Sequence, residues 1–439
     1  MYDPIRASDA VIQRLRANHP SLIDLTTGRV ERLLATLGRP DMRLPPVIHV
    51  AGTNGKGSTT AFLRAMAEAA GLSVHVLTSP HLVRFAERIR IAGRLITDEA
   101  LDALTDRLEA VNAGEPISFF EITTVLALVA FAETPADLCI IEVGLGGRFD
   151  ATNIFDTPAV SVITPVDYDH LEMLGPELSK IAWEKAGIIK ADRPVVCARQ
   201  RDEALAVIEA EAQAVGAPLT LVGRDADIWR DRGRLMVQAS DRLLDLPPPA
   251  LPGPHQFDNA GLAALALLAL DDPRITEAAL GRGAETATWP GRFQRLKDGP
   301  LGRLAAARGS DLWLDGAHNP HGAEALARTC AEMGARDRRP LVLVVGQFAR
   351  KDPRGFFAAF RDLPLKVIAT TFDSPTALSP EALAESAAAE GLPVATAPDV
   401  SAAVALALTG GGPPPRVVIC GGLHFVGEVL ALSPETWPS

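Results

Sequence analysis

The segment that most limits what this chain can fold into is Val47-Ile48-His49-Val50-Ala51 running into Gly52-Thr53-Asn54-Gly55-Lys56-Gly57-Ser58-Thr59-Thr60. A β-branched run, a glycine-rich turn and a helical pattern ending at Gly71 follow in that order. Glycines let backbone N–H groups turn inward around phosphate oxygens, and the helix N-terminus adds a favourable dipole. The natural guest is a polyanion. Lys56 would contact terminal phosphates, and Ser58 or Thr59 could offer a hydroxyl to Mg²⁺. The spacing departs from G-x-x-x-x-G-K-S/T, because Gly57 separates Lys56 from Ser58 and the leading glycine stands too close. A plain strand-to-helix turn is the competing interpretation.

Such a loop needs a sheet around it. Short β-branched runs recur at 47–50, 74–77, 138–143, 159–163, 194–197 and 219–222, with Ala-, Leu- and Glu-rich helical patterns between most of them. That alternation predicts an α/β fold with a mainly parallel sheet covered on both faces. A second, smaller α/β unit is expected from strands at 312–314, 341–345, 367–370 and 416–420 and helices at 323–333, 380–389 and 401–408. Pro247-Pro248-Pro249, Pro252-Gly253-Pro254 and Trp289-Pro290-Gly291-Arg292 punctuate the chain between the two sets. A helix over 259–270 should belong to the first domain. The boundary is placed near 296, giving domains 1–296 and 297–439, each large enough for its own core.

Composition narrows the function classes. A hydrophobic fraction of 47% with 22% charged residues is ordinary for a folded protein, and a net charge of -11 argues against non-specific nucleic-acid binding. Cys139, Cys197, Cys330 and Cys420 show neither CxxC nor Cys/His ligand spacing, so they are expected as reduced core residues of a cytoplasmic protein. Residues 1–6 lack a basic segment followed by an apolar one, and runs such as 122–132 are too short to span a bilayer. A soluble, unprocessed protein with no membrane partner is expected.

Beyond the phosphate loop, Glu142 ends a buried-looking strand and is followed by Gly144-Leu145-Gly146-Gly147-Arg148-Phe149-Asp150-Ala151-Thr152-Asn153. Ligands of open α/β sheets gather beyond the carboxyl ends of strands, which makes Glu142 a candidate metal ligand. Asp169-His170 follows the strand near Ile163, and Glu184-Lys185 sits on an expected helix before the next strand. Taken singly, Glu142 reads equally as a supporting hydrogen-bond acceptor, His170 as a helix cap and Lys185 as a surface charge.

Read together, Gly52-Thr-Asn-Gly-Lys-Gly-Ser58, Thr78-Ser-Pro-His-Leu82, Phe119-Phe-Glu121, Glu142-Val-Gly-Leu-Gly-Gly-Arg148, Asp150-Ala-Thr-Asn153, Asp169-His170, Glu184-Lys-Ala-Gly-Ile188, His255-Gln-Phe-Asp-Asn-Ala260, Gly291-Arg-Phe-Gln294 and Asp315-Gly-Ala-His-Asn-Pro320 resemble the folylpolyglutamate synthases, including their bifunctional dihydrofolate synthase members, within the Mur-ligase-like amide ligases. The resemblance runs nearly the whole chain, and the irregular phosphate loop is the family's own form. It implies an N-terminal P-loop-type ATPase domain and a C-terminal Rossmann-like glutamate-ligase domain. ATP would phosphorylate a carboxylate, and the amino group of L-glutamate would attack the acyl phosphate. The acceptors implied are dihydropteroate and folates.

Mapped residue by residue, the resemblance gives the ATP phosphates to Gly52, Thr53, Asn54, Gly55, Lys56, Gly57 and Ser58, and two Mg²⁺ ions to Ser58, Ser79, Glu142, His170 and Lys185. Lys185 would be carbamylated (N6-carboxylysine), an anionic oxygen ligand in place of a cation. Asn259, Arg292, Asp315 and His318 would gather the nucleotide, with Arg292 near the terminal phosphate and Asn259 and His318 toward the base and ribose. Lys56, His170, Lys185, Arg292 and His318 form the expected catalytic set, and closure of the second domain would exclude water. Phe120 would stack on a pterin whose edge meets Asp150 and Ala151, while His81 and Arg88 border the folate site. A monomer is expected.

Phe149 and Gly421-Gly422-Leu423-His424-Phe425 depart from the family pattern and bear on substrate fit. Lys351-Asp352 and Ser374-Pro375 are loop candidates for the glutamate site. Two rival functions are a ligase building a cell-wall precursor or cyanophycin-like polymer, and a nucleotide-binding regulator that has lost catalysis. The first would need an added N-terminal segment, yet the phosphate loop begins by residue 52. The second should have lost at least one of Lys56, Glu142, His170, Lys185, Asp315 and His318.

Overall fold

Strands whose every side chain is apolar or buried belong in the middle of a parallel sheet, and β1 (Val47–Ala51) is buried at all five positions. The computed structural model describes residues 7–19, 26–409 and 412–438; the targeting-signal argument for residues 1–6 lies outside them. β1 sits in an eight-stranded sheet with β2 (Val74–Leu77), β3 (Ile89–Ile91), β4 (Arg94–Leu95), β5 (Leu138–Glu142), β6 (Val160–Ile163), β7 (Val195–Cys197) and β8 (Leu219–Leu221). The order is β4-β3-β2-β5-β1-β6-β7-β8, parallel except for the antiparallel edge of β3 and β4.

Two apolar clusters cover the faces. One packs Val47, Cys139 and Ile141 under the helix Phe119–Ala132; the other packs Ile163, Val195 and Cys197 under the helices Leu178–Ala186 and Asp202–Ala214. The pairings Val50↔Glu142 and Ala51↔Ile163 flank β1 with β5 and β6, so the loops leaving these three strands emerge side by side. That topology gathers the phosphate loop, residues 143–153 and residues 164–170 at the carboxyl end of the central strands.

No strand was expected between 222 and 312, and the structure corrects this. β9 (Ala226–Asp231), β10 (Arg234–Ala239) and β11 (Arg242–Leu246) form an antiparallel meander. Its period-2 signal is real, since Ile228, Leu235, Val237, Leu244 and Leu246 are buried, but each strand buries only one or two large apolar residues, and Met236 and Leu243 break the alternation.

The second sheet orders β12 (Gln294–Arg295), β13 (Asp311–Leu314), β14 (Leu341–Val345), β15 (Leu365–Ala369), β16 (Val394–Thr396) and β17 (Arg416–Cys420) as β12-β13-β17-β14-β15-β16. All pairs are parallel except β12 with β13. Phe356, Phe357, Phe360, Val367 and Val418 lie in its own core. Contacts divide the chain into one unit of residues up to Ala250 plus Phe257–Thr288, and a second of Leu251–Gln256 plus residues from Trp289 onward. The division falls before 296 because β12 pairs with β13, Gln294 opposite Leu314. The helix expected over 259–270 runs His255–Leu268 and counts with the first unit from Phe257.

Among the described residues no helix is long and apolar enough to cross a membrane, and all four cysteines are free and buried.

Candidate active site

The phosphate loop is held by contacts that local sequence does not announce. Gly52 has φ +143°, and a Cβ there would collide with Thr164 Oγ1, so only glycine serves. Thr53 N–H donates to Pro165 O (2.9 Å), while Thr53 Oγ1 donates to Asp167 O (2.9 Å) and accepts from Asp167 N–H (3.0 Å). Gly55 then opens the helix Lys56–Ala69, whose first turn buries Ser58. Asn259 lies against this turn: a Cβ on Gly55 would stand 2.6 Å from its Oδ1.

Two lysines meet at one carbonyl. Lys56 Nζ donates to Gly52 O at 3.0 Å and to Thr53 O at 3.4 Å, and Lys185 Nζ donates to the same Gly52 O at 3.0 Å. Lys185 lies in the helix Leu178–Ala186 and is only 5% exposed, which excludes the surface-charge alternative. Burial first, then the charge of Lys56, brings its pKa down to about 7 against the opposing pull of Asp169, Glu184 and Asp150. His170 does occupy a helix N-cap, with φ +54°, but its side chain makes no capping bond. Gly52, Thr53, Lys56, Gly144, Gly146, Asp169, His170 and Lys185 line one small cavity.

The glycine-rich segment after β5 and the Glu184–Gly187 turn are two halves of one contact. Arg148 N–H donates to Glu184 O (2.7 Å), Asn153 Nδ2 donates to Gly187 O (3.1 Å), and a Cβ on Gly147 would lie 2.7 Å from Glu184 O. Asp150, 2% exposed, turns its carboxylate inward: Oδ2 accepts from Leu145 N–H (2.8 Å), and Oδ1 from Thr152 N–H (3.0 Å) and Thr152 Oγ1 (2.6 Å). These bonds make Asp150 first a loop-folding residue, with buried Ala151 beside it. Neither His49 nor Thr152, which joins it, was singled out in the sequence, although a histidine inside an otherwise apolar strand was a visible signal.

Ser79, Arg88, Phe120 and Glu142 line a second small cavity. Phe120 lies so close over Gly144 that a Cβ there would strike its ring. Arg88 Nε donates to His81 Nδ1 (2.9 Å), and burial lowers the Arg88 pKa to about 10. The expected metal ligands are thus distributed, Ser79 and Glu142 on one cavity, His170 and Lys185 on the other, and Ser58 in the helix that leaves the phosphate loop.

In the second unit, Asp315 follows β13 and accepts from Phe293 N–H (2.9 Å) and Ala317 N–H (2.8 Å). Its buried carboxylate ties the turn carrying Arg292 to the segment carrying His318, so it acts here through the backbone. Burial raises its pKa. Arg292 Nη1 donates to Gly291 O (3.2 Å), and His318 Nδ1 lies 3.0 Å from Gly316 O. Of the glutamate-loop candidates, Asp352 caps the helix Pro353–Ala358 through Gly355 N–H, and Ser374 Oγ lies 3.3 Å from Thr376 Oγ1.

The site and the sheet that carries it define a phosphate-loop α/β enzyme. Residues 50–268 match the Mur ligase middle domain and residues 291–423 the Mur ligase, glutamate ligase domain. The chain is 34% identical over 421 residues to the dihydrofolate synthase/folylpolyglutamate synthase of Escherichia coli (strain K12), covering 94% of this chain and 92% of that protein. The E. coli protein solved with DHPP and ADP superposes with a TM-score of 0.85 at 31% identity, covering 98% of each chain. The bifunctional folylpolyglutamate synthase/dihydrofolate synthase of Yersinia pestis, solved with AMPPNP and Mn ion, gives 0.85 at 31% identity, covering 98% of this chain and 99% of that one. The chain belongs to the dihydrofolate synthase/folylpolyglutamate synthase family of Mur ligases.

Proposed function

We propose that the protein joins L-glutamate to dihydropteroate and to the glutamate tail of reduced folates, converting ATP to ADP and phosphate. The observation that carries this is the cavity where the phosphate loop, His170 and a deeply buried Lys185 meet, on a chain with a near full-length folate-ligase relative. A carboxylate oxygen of the acceptor attacks the γ-phosphorus, ADP leaves, and the glutamate amine then displaces phosphate from the acyl carbon. Lys56 offsets the charge of the phosphates, and the loop from Gly52 to Ser58 orients them. Arg292 and His318 keep the nucleotide roles that the resemblance gives them, with Asp315 holding the backbone between them.

Mg²⁺ would be held by Ser58, Ser79, Glu142, His170 and Lys185. Ser79 and Glu142 line one small cavity and His170 and Lys185 another, and Mg²⁺ takes only one or two carboxylates, with phosphate and water completing its shell. Lys185 fits only in modified form, because an ammonium repels a cation. With its pKa near 7 the amine is substantially neutral at neutral pH, the form that adds to CO₂, releasing a proton and leaving a carbamate. When bound, Mg²⁺ supplies Lewis acidity toward the transferred phosphoryl group.

We assign ATP binding to the first unit and the glutamate-ligase role to the second. The reaction is proposed for a monomer in the cytoplasm, where its four buried thiols stay reduced.

The test is to incubate the protein with ATP, Mg²⁺, bicarbonate and L-glutamate, offering dihydropteroate, tetrahydrofolate or a UDP-muramoyl peptide separately. ADP release is followed together with product mass. Addition of one glutamate to both pterin compounds supports both activities, and to one of them a single activity. Extension of the muramoyl peptide alone would overturn the folate assignment.

A further inference from the structure

His49 lies on β1, two residues before Ala51 ends the strand, and is fully buried. Its ring meets Phe155 edge-on, with centroids 6.0 Å apart and an interplanar angle of 87°. Nε2 is 2.9 Å from Thr152 Oγ1, and Nδ1 is buried with no hydrogen-bond partner. Thr152 Oγ1 in turn lies 2.6 Å from Asp150 Oδ1.

Proton counting orders this chain. An ionised carboxylate only accepts, and a threonine hydroxyl has one hydrogen to donate. That hydrogen points to Asp150, so Thr152 Oγ1 must accept from His49, which fixes the Nε2–H tautomer. Burial, reinforced by the charge of Lys190, keeps His49 neutral, with its pKa lowered to about 3. The strand beneath the phosphate loop is thereby tied, through side chains 103 residues apart, to the loop that carries Asp150 and Ala151.

We infer that His49 and Thr152 are positioning residues for the pterin acceptor: the directed chain His49–Thr152–Asp150 holds the loop after β5 in the shape that receives the ring. The inference rests on the proposed assignment of Asp150 and Ala151 to that acceptor. It predicts an effect on acceptor binding distinct from nucleotide binding, because the phosphate-loop backbone is held by Pro165 and Asp167, and Lys56 by the Gly52 and Thr53 carbonyls, instead.

The experiment uses the full chain with bicarbonate and compares Thr152→Val, Thr152→Ser and His49→Phe. Thr152→Val keeps the shape and removes the donor, guarding against a fold failure in His49→Phe. KM for dihydropteroate should rise about tenfold or more in Thr152→Val, the factor set by one lost hydrogen bond to a charged group. Thr152→Ser should restore it, and KM for ATP should stay within about twofold. In ¹⁵N-labelled wild type the His49 ring should show hydrogen on Nε2 alone. An unchanged acceptor KM, a parallel rise in the ATP KM, or an Nδ1–H tautomer overturns the inference. Failure of wild type to extend dihydropteroate would instead overturn the parent assignment and the acceptor role with it, while the tautomer still decides the hydrogen-bond chain.

Discussion

At Lys185 a single burial changes the chemistry of a side chain. The folded-state pKa of about 7 lies below the ordinary lysine value of 10.5, so between those pH values the unfolded chain binds more protons than the folded one. Stability therefore rises with pH across that window, and the penalty is fully present below it. In CO₂-free buffer Lys185→Met should melt above wild type near pH 7, with the advantage shrinking as pH approaches 10; a gap independent of pH would contradict the buried amine. With ¹³C-bicarbonate, wild type should gain the mass of one CO₂ and the variant none, with incorporation falling as pH drops below about 7. Asp315 makes a different case. Asparagine there would keep one acceptor oxygen but turn an NH₂ group toward a backbone N–H. Asp315→Asn should cost the second unit about 2 kcal/mol in urea unfolding and weaken nucleotide binding by displacing Arg292 and His318; intact nucleotide affinity would separate Asp315 from that role. Both residues were visible in the sequence as part of family motifs, but the amine's pKa and the carboxylate's inward bonds depend on neighbours far along the chain.

At the level of elements, the helix Phe119–Ala132 shows how local code places a candidate site residue. Ser118 Oγ accepts from Glu121 N–H at 3.3 Å, and Glu121 Oε2 accepts from Ser118 N–H at 2.7 Å, a complete capping box, while Arg29 pairs with Glu121. The cap fixes the first turn, and Phe120 stands in that turn beside Glu142. Ser118→Ala should destabilise the first unit by about 1 kcal/mol in denaturant unfolding, with an unchanged m-value. The sheet strands were legible because continuous β-branched runs signal double burial. The β9–β11 meander was not, because one or two buried apolar residues per strand leave the pattern to be decided by what the strand packs on, here Ile228 against Gly261.

Across the whole molecule, each unit has its own apolar core, and a chain of this kind need not unfold in one step. Denaturation should give transitions that do not coincide when hydrogen exchange is followed separately in the β1–β5 and β14–β17 ladders; a single shared transition would show that the units unfold as one. The glycine-rich turn between a strand and a helix, most strands of the two parallel sheets and the division into two α/β sets were legible in the sequence alone, because periodicity, β-branched runs and glycine placement act over a few residues. Only the tertiary structure decided that Lys56 and Lys185 share the Gly52 carbonyl, the latter across 133 positions. It alone also showed that Asp150 and Asp315 spend their oxygens on backbone amides and that His49 reaches Asp150 through Thr152. Desolvation and long-range pairing exist only once packing has removed water and brought distant segments together, so no local pattern could encode them.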